Sequence, residues 1–578
     1  GDLEGHGRAG EQLGRLRREA AEYYRGLRVP ERLEQALNEL FLQRPEDLYG
    51  ELANYFSKFS KAPVICKLVG RKLFNGVGQP TLEVEIYCTV KNYEKRICST
   101  VMATHSQIPE NALPETIEAD EKERNECVHT AVEWVNESLN TMLRHLDPTD
   151  QCQADKMLGE YFANKVEEKK EIERQEKERQ EEEAAKATPS VRSGSTPKQK
   201  KGGKPAKSSV EVTPSPPAEP AESALRGSLA IGGTSLAVAK AGATISHVPL
   251  YLYTALLKHH QESPKEMTLP LPMVTLLNCE KNSPTKLKLV KEVMVIPPVE
   301  LSLKQVLFPF LINVIDIILT TYIHNYIGLF NIPPTLKISH LGCLTIGYDS
   351  LEQLLLQMQI ACHNIGLQLG KDMYLAINCA AHELMDHVSY FSILIFLGFK
   401  INVALLTPFF KVDREQWSSI CFALGSKCYV IAEDAATQIS KLKTEQNINI
   451  ARCSGIVLKY INETKVSDLL ELTGILDGQR HITILGSPDG ESSDESLVDL
   501  AVGLGARFLK LGGLCRGERV AKYNRLLAIE EELAANGALR TSFFLTFQNK
   551  DMQSEGEAER QGEEERKERV CRNCIMYS

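Results

Sequence analysis

Two lysines stand at the ends of short apolar runs: Lys459 directly follows Gly455–Leu458, and Lys510 lies inside the run 508–511. A lysine at a strand end, crowded by other cations, loses enough proton affinity to act as a base, whereas an isolated one reaches solvent. Glu292 heads a third apolar run and offers either an acid for chemistry or a surface carboxylate. Cysteine chemistry is a poorer prospect. The 15 cysteines are an odd number scattered through apolar stretches, as at Cys88, Cys343 and Cys379, the usage of a reduced, intracellular protein. Cys571-Arg572-Asn573-Cys574 is a CxxC without a second pair, which argues against a metal knuckle. No Gly-x-Gly-x-x-Gly follows a strand and opens a helix, so a dinucleotide-binding enzyme is a poor reading.

These groups need a large frame, and 578 residues supply one: about 150 residues per domain allows three or four units. Lys and Arg number 67 against 76 Asp and Glu, a net charge of -9, so the chain has no global attraction to nucleic-acid phosphates. The only cationic patch of the stretch 166–225, residues 198–207, reads as solvated linker. The longest apolar run, 306–323, contains Pro309, Asn313 and Asp316, which are costly at a bilayer centre; a buried helix, not a membrane span, is expected. The chain begins at Gly1 rather than Met, so its natural first residues are expected to be missing, and no secretory leader opens it.

Periodicity divides the chain into segments. Residues 1–60 read as a helical hairpin: Leu33, Leu37, Leu40 and Phe41 share one face, Leu48, Leu52, Tyr55 and Phe56 another, and Arg44-Pro45-Glu46-Asp47 breaks and restarts the helix. Residues 61–165 begin with a strand meander in which Leu82, Val84, Ile86, Cys88 and Val90 alternate with polar positions, and continue as helix. Residues 166–225, first Glu/Lys/Arg/Gln and then Pro/Ser/Lys/Gly, cannot bury a core and are expected to form a charged helix running into a disordered insertion. Order resumes over 226–268. From 269 to 540 apolar strand-like runs alternate with helical ones, at 373–377, 401–406, 428–432, 455–458, 481–486 and 508–511, which predicts an α/β fold with a β/α barrel. Residues 541–578 form a charged tail.

The stretch 499–533, with Lys510-Leu511-Gly512-Gly513-Leu514-Cys515-Arg516 and Ala521-Lys522-Tyr523-Asn524 at its centre, resembles the C-terminal signature of the enolase family. Pro80-Thr81-Leu82-Glu83-Val84-Glu85, Gly233-Thr234-Ser235-Leu236-Ala237 and Glu292-Val293-Met294-Val295-Ile296-Pro297 extend the resemblance over about 440 residues, interrupted by the insertion. It implies a small α+β N-terminal domain, split by the insertion, followed by an eight-stranded β/α (TIM-like) barrel. The implied reaction is the interconversion of 2-phosphoglycerate and phosphoenolpyruvate in glycolysis. The hairpin separately resembles the dimerization/docking bundle of the cyclic-AMP-dependent kinase regulatory subunit; that would imply a homodimer whose groove takes a partner's amphipathic helix at residues 11–60, the alternative being a hairpin packed on its own main domain.

Under the enolase resemblance, Lys459 stands at the place of the proton-abstracting base, Lys510 at that of the lysine contacting the substrate carboxylate, and Glu292 near the leaving hydroxyl. Sites of the enolase superfamily combine such a base with one or two Mg²⁺, which stabilise the charge that proton removal creates. The three carboxylates that hold the tighter Mg²⁺ read here Asn378, Leu406 and Glu433, so a degraded metal site is expected. The main acid is replaced by Leu341, the barrel histidine by Ser487, and the metal-binding serine of the first loop by Gly76 within Asn75-Gly76-Val77-Gly78. A histidine-bearing loop reads Cys279-Glu280-Lys281-Asn282; Glu280, Glu383 and Asp434 lie near enough in sequence to stand in as acids. Two readings follow: a cytoplasmic enolase acting on a small phosphorylated three-carbon acid, and a catalytically impaired, oligomeric scaffold of the sperm flagellum. The resemblance supports both locations.

Overall fold

The computed structural model describes residues 2–104, 113–186, 225–260, 262–278, 291–297, 302–304, 312–313, 315–317, 320, 337–345, 351–369, 373–378, 403–408, 429–433, 454–458, 461–487 and 491–540. Among these, strands β1 (Val64–Phe74), β2 (Pro80–Val90) and β3 (Tyr93–Ala103) form an antiparallel meander. One face of it is covered by the helix Pro114–Trp134, its π-helical continuation Val135–Leu139, and the helix Ser228–Ile245. Val128, Ala131, Val135 and Leu139 fall on one helical stripe and are fully buried. The helix Ser228–Ile245 is long and apolar enough to cross a membrane, yet 83% of it is buried inside the protein, the expected fate of a helix that is apolar all round. The run 306–323 lies mostly outside the described residues.

The second sheet is a closed ring. Strands β4 (Leu271–Asn278), β5 (Glu292–Ile296), β8 (Tyr374–Asn378), β9 (Val403–Pro408), β10 (Tyr429–Glu433), β11 (Gly455–Leu458), β12 (Ile482–Gly486) and β13 (Phe508–Gly512) pair in that order, and β13 pairs back on β4. All neighbours are parallel except β5, which runs antiparallel to both β4 and β8. A two-strand hairpin, β6 (Lys337–Ile338) and β7 (Leu344–Thr345), attaches to β4 through Leu277 and Leu344. Met273, Met294, Ala376, Ile431, Val457 and Ile484 fill the barrel interior, while Val274, Val293, Ile377, Val430, Leu485 and Leu509 face the outer core. Burial on both faces explains why these strands read as unbroken apolar runs rather than alternating ones. The α/β fold with an eight-stranded barrel is the one anticipated, with strands within two residues of the expected positions.

The meander domain grips the barrel through polar side chains. Val466–Gly478, a barrel helix, has no side-chain cap of its own at Lys465. Its first amides are met instead by Ser235 Oγ, which accepts from Val466 N at 2.9 Å, and Asp155 Oδ2, which accepts from Ser467 N at 2.9 Å. Asp155 sits on the long helix Gln151–Lys186, which continues through the charged run at 166–186 with surface ion pairs such as Lys165–Glu168 and Arg174–Glu171. A second clasp joins β3 to the segment after β12: Val101 N donates to Asp494 Oδ2 at 2.9 Å, and Ser492 Oγ donates to Val101 O at 2.9 Å.

At the N-terminus three helices appear, Asp2–Gly26, Val29–Gln43 and Leu48–Ser57, so a long helix precedes the anticipated pair. Asp47 caps the third through Gly50 N, as the acidic restart suggested. Ala36, Leu40 and Tyr55 are buried among them, but Leu33, Leu37, Phe41 and Tyr49 remain exposed.

Candidate active site

The parallel strands of the ring end at one mouth, and strand pairing sets the level of each residue there. Gly486 pairs with Lys510, Glu292 with Asn378, and Asn378 with Leu406. Lys510 and Glu292 therefore reach the mouth from opposite chain directions, β13 running up and β5 starting there. They meet: Lys510 Nζ lies 2.7 Å from Glu292 Oε2, with side chains 8% and 3% exposed. Asn378 Nδ2 donates to the same carboxylate oxygen at 3.4 Å. Desolvating two opposite charges is repaid only by short, well-aligned contact, which this pair has.

Leu341 reaches the same rim from the β6–β7 hairpin and is 5% exposed. Its carbonyl accepts from Gly513 N at 2.7 Å, and Cys515 N donates to Gly342 O at 2.9 Å, pinning the hairpin on the end of β13. The Gly512-Gly513 pair makes this approach feasible: Gly512 has φ +82°, and a Cβ there would stand 2.5 Å from Leu341 O. Burial beside this hairpin pushes the Cys343 thiol up to about 12. Gly76, in the turn between β1 and β2, lies against the start of the last barrel helix, Gly517–Ala535; a side chain there would come within 2.6 Å of Glu518 Oε2. The loop that bears a serine in the resembled family is thus occupied, on its glycine, by a carboxylate from the barrel.

Arg519, fully buried, is a site residue that spacing did not reveal. Its guanidinium donates to Ser487 Oγ at 2.9 Å, Leu511 O at 2.9 Å and His340 O at 3.2 Å, tying the ends of β12 and β13 to the hairpin. Arg516 adds a bond to Ser339 O at 3.0 Å. The only sequence signal was two arginines three apart at a helix start, a pattern that most often marks a solvated face.

Lys459, Glu280, Glu383 and Asp434 lie outside the described residues, and Glu433 is described only as the last backbone position of β10. Of the expected site residues, the structure joins Lys510, Glu292 and Asn378. No group of three or more His, Cys, Asp or Glu able to hold a metal occurs among the described residues. Mg²⁺ asks for an octahedron of hard oxygens, and an alkyl residue at 406, level with an amide at 378, does not fit that demand.

Comparison with known proteins agrees with this architecture. Residues 377–546 match the family model of the enolase C-terminal TIM barrel domain. Over nearly its whole length the chain is similar to enolase 4 of Homo sapiens, 46% identical over 568 residues, covering 91% of this chain and 90% of that protein. Enolase 4 of Mus musculus is 45% identical over 576 residues, 93% of each chain, and that of Xenopus laevis 44% over 543 residues, 91% of this chain and 93% of that protein. With its barrel closed by β13 on β4 and its likeness carried end to end, the chain belongs to the enolase family.

Proposed function

We propose that the chain is an enolase-type hydro-lyase that interconverts 2-phosphoglycerate and phosphoenolpyruvate. The observation that supports this most is the Lys510–Glu292 pair, two charges kept at the barrel mouth at the expense of their hydration. Lys459 takes the proton from C2; the electron pair left behind forms the C2–C3 double bond as the C3–O bond breaks, and the hydroxyl leaves as hydroxide, which takes a proton from solvent water. Lys510 stands against the substrate carboxylate, where charge accumulates, and Glu292 faces the leaving hydroxyl. Because Leu341 and Leu406 supply neither acid nor ligand, Mg²⁺ is given no step here. One acid–base group contributes roughly 10²–10⁴ in rate, and metal charge stabilisation several kcal/mol more, so turnover is expected to be slow.

A second reading is favoured by the same two leucines together with the exposed apolar face of the first three helices. In it the barrel is a catalytically impaired scaffold that self-associates, docks an amphipathic helix on residues 11–60 and serves in the sperm flagellum rather than as a cytoplasmic enzyme. Purified protein assayed for phosphoenolpyruvate formation, beside Lys459→Ala, separates them. Activity abolished by that change supports the hydro-lyase; silence in both proteins, with unchanged folding, removes it and leaves the scaffold.

A further inference from the structure

We infer that the barrel mouth binds its ligand acid without a divalent cation, a deepening that rests on the proposed acid-binding role. The enolase pattern places three carboxylates and one Mg²⁺ at the strand ends that here read Asn378, Leu406 and Glu433. An amide and an alkyl group in place of two carboxylates remove two negative charges, which is the charge one Mg²⁺ carries. Counted over those three positions and that one cation, the summed charge is therefore the same with the full metal site as with neither the cation nor those two carboxylates. Electrostatic attraction for the acid survives the exchange; the need for the cation does not.

The geometry at the rim agrees. Leu341 is buried where the hairpin meets β13, so that position supplies an alkyl group where the enolase pattern has an acid. Gly76 carries no oxygen ligand on a side chain, and what stands against it is the Glu518 carboxylate. Asn378 directs its amide nitrogen, a donor, at Glu292, and the Glu292 oxygen nearest it is held by Lys510. Among the described residues Lys510, paired with Glu292, is a cation held at the mouth, and it takes the role in acid binding that a metal shares elsewhere.

Calorimetric titration of the full chain with phosphoenolpyruvate, once in EDTA and once in excess Mg²⁺, tests this directly, with Mn²⁺ titration followed by electron paramagnetic resonance as the metal readout. Equal affinity in both buffers, and no stoichiometric Mn²⁺ uptake, is the expected result. Affinity that appears only with Mg²⁺ overturns the inference while leaving the acid-binding role intact; no binding in either buffer overturns the acid-binding role itself. Asn378→Asp with Leu406→Asp should restore Mn²⁺ uptake and weaken binding in EDTA by about tenfold or more, since two negative charges then go unbalanced. A double variant that melts like the parent yet binds the acid equally well in EDTA counts against the charge argument.

Discussion

At Lys510 and Glu292 two residues far apart in the chain share one short, water-poor contact, and each is buried because the other is. Removing one partner leaves an uncompensated charge in a site with little water. Lys510→Met is expected to cost about 3 to 5 kcal/mol in urea unfolding, whereas Lys510→Met with Glu292→Leu should cost clearly less than the two single changes together. Additive losses would mean that the pair is not coupled and that its contact is incidental. Both residues were identifiable in the sequence through the enolase resemblance; their mutual contact was not, because it depends on β5 running antiparallel to the rest of the ring. Arg519 escaped for a related reason. Its acceptors are a serine hydroxyl and two backbone carbonyls, which leave no mark in composition or spacing.

Among the elements, the two clasps between meander and barrel have separate tests. Asp155 accepts from Gln151, Ser235 and Ser467 while standing at the N-terminus of Val466–Gly478, where negative charge is favoured. Asp155→Ala strands those donors and is expected to lower stability by about 3 kcal/mol, measured by chemical denaturation. The other clasp responds to pH. Burial pushes the Asp494 carboxyl up, but Lys240, 3.5 Å away, and hydrogen bonds from Ser496 and Val101 outweigh this and hold it below the usual carboxylate range. A depressed folded-state value means that its contribution is fully present above the ordinary aspartate value of about 3.9 and is lost as pH falls through the lower, folded one. Asp494→Asn should therefore be less stable than the parent at neutral pH and converge with it in strong acid; parallel stability curves at all pH values would contradict this. Such clasps are long-range pairings of short polar side chains, and nothing local announces them.

For the whole molecule, the N-terminal helices stand out because several of their apolar residues lack cover among the described residues: Phe41 is 68% and Tyr49 83% exposed. Faces of this kind mark association surfaces. Deleting residues 1–60 is expected to lower the mass seen in sedimentation while leaving the melting temperature of the rest unchanged. An unchanged mass would place self-association elsewhere, and a large fall in melting temperature would show that these helices support the main body.

Strand and helix positions, the class of fold and the family are legible in the amino-acid order because periodicity and motif are local properties, and a barrel strand buried on both faces must be apolar throughout its length. The same order, set beside the enolase pattern, exposed Leu406 and Gly76 as residues unable to serve a metal and Leu341 as one unable to serve as the acid. What required folding was convergence: ring closure of β13 on β4, the reversal of β5 and the hairpin seated on Gly512-Gly513 bring Lys510, Glu292, Asn378 and Leu341 to one rim. Distance between residues remote in sequence is set by packing of the whole chain, which no window along it contains.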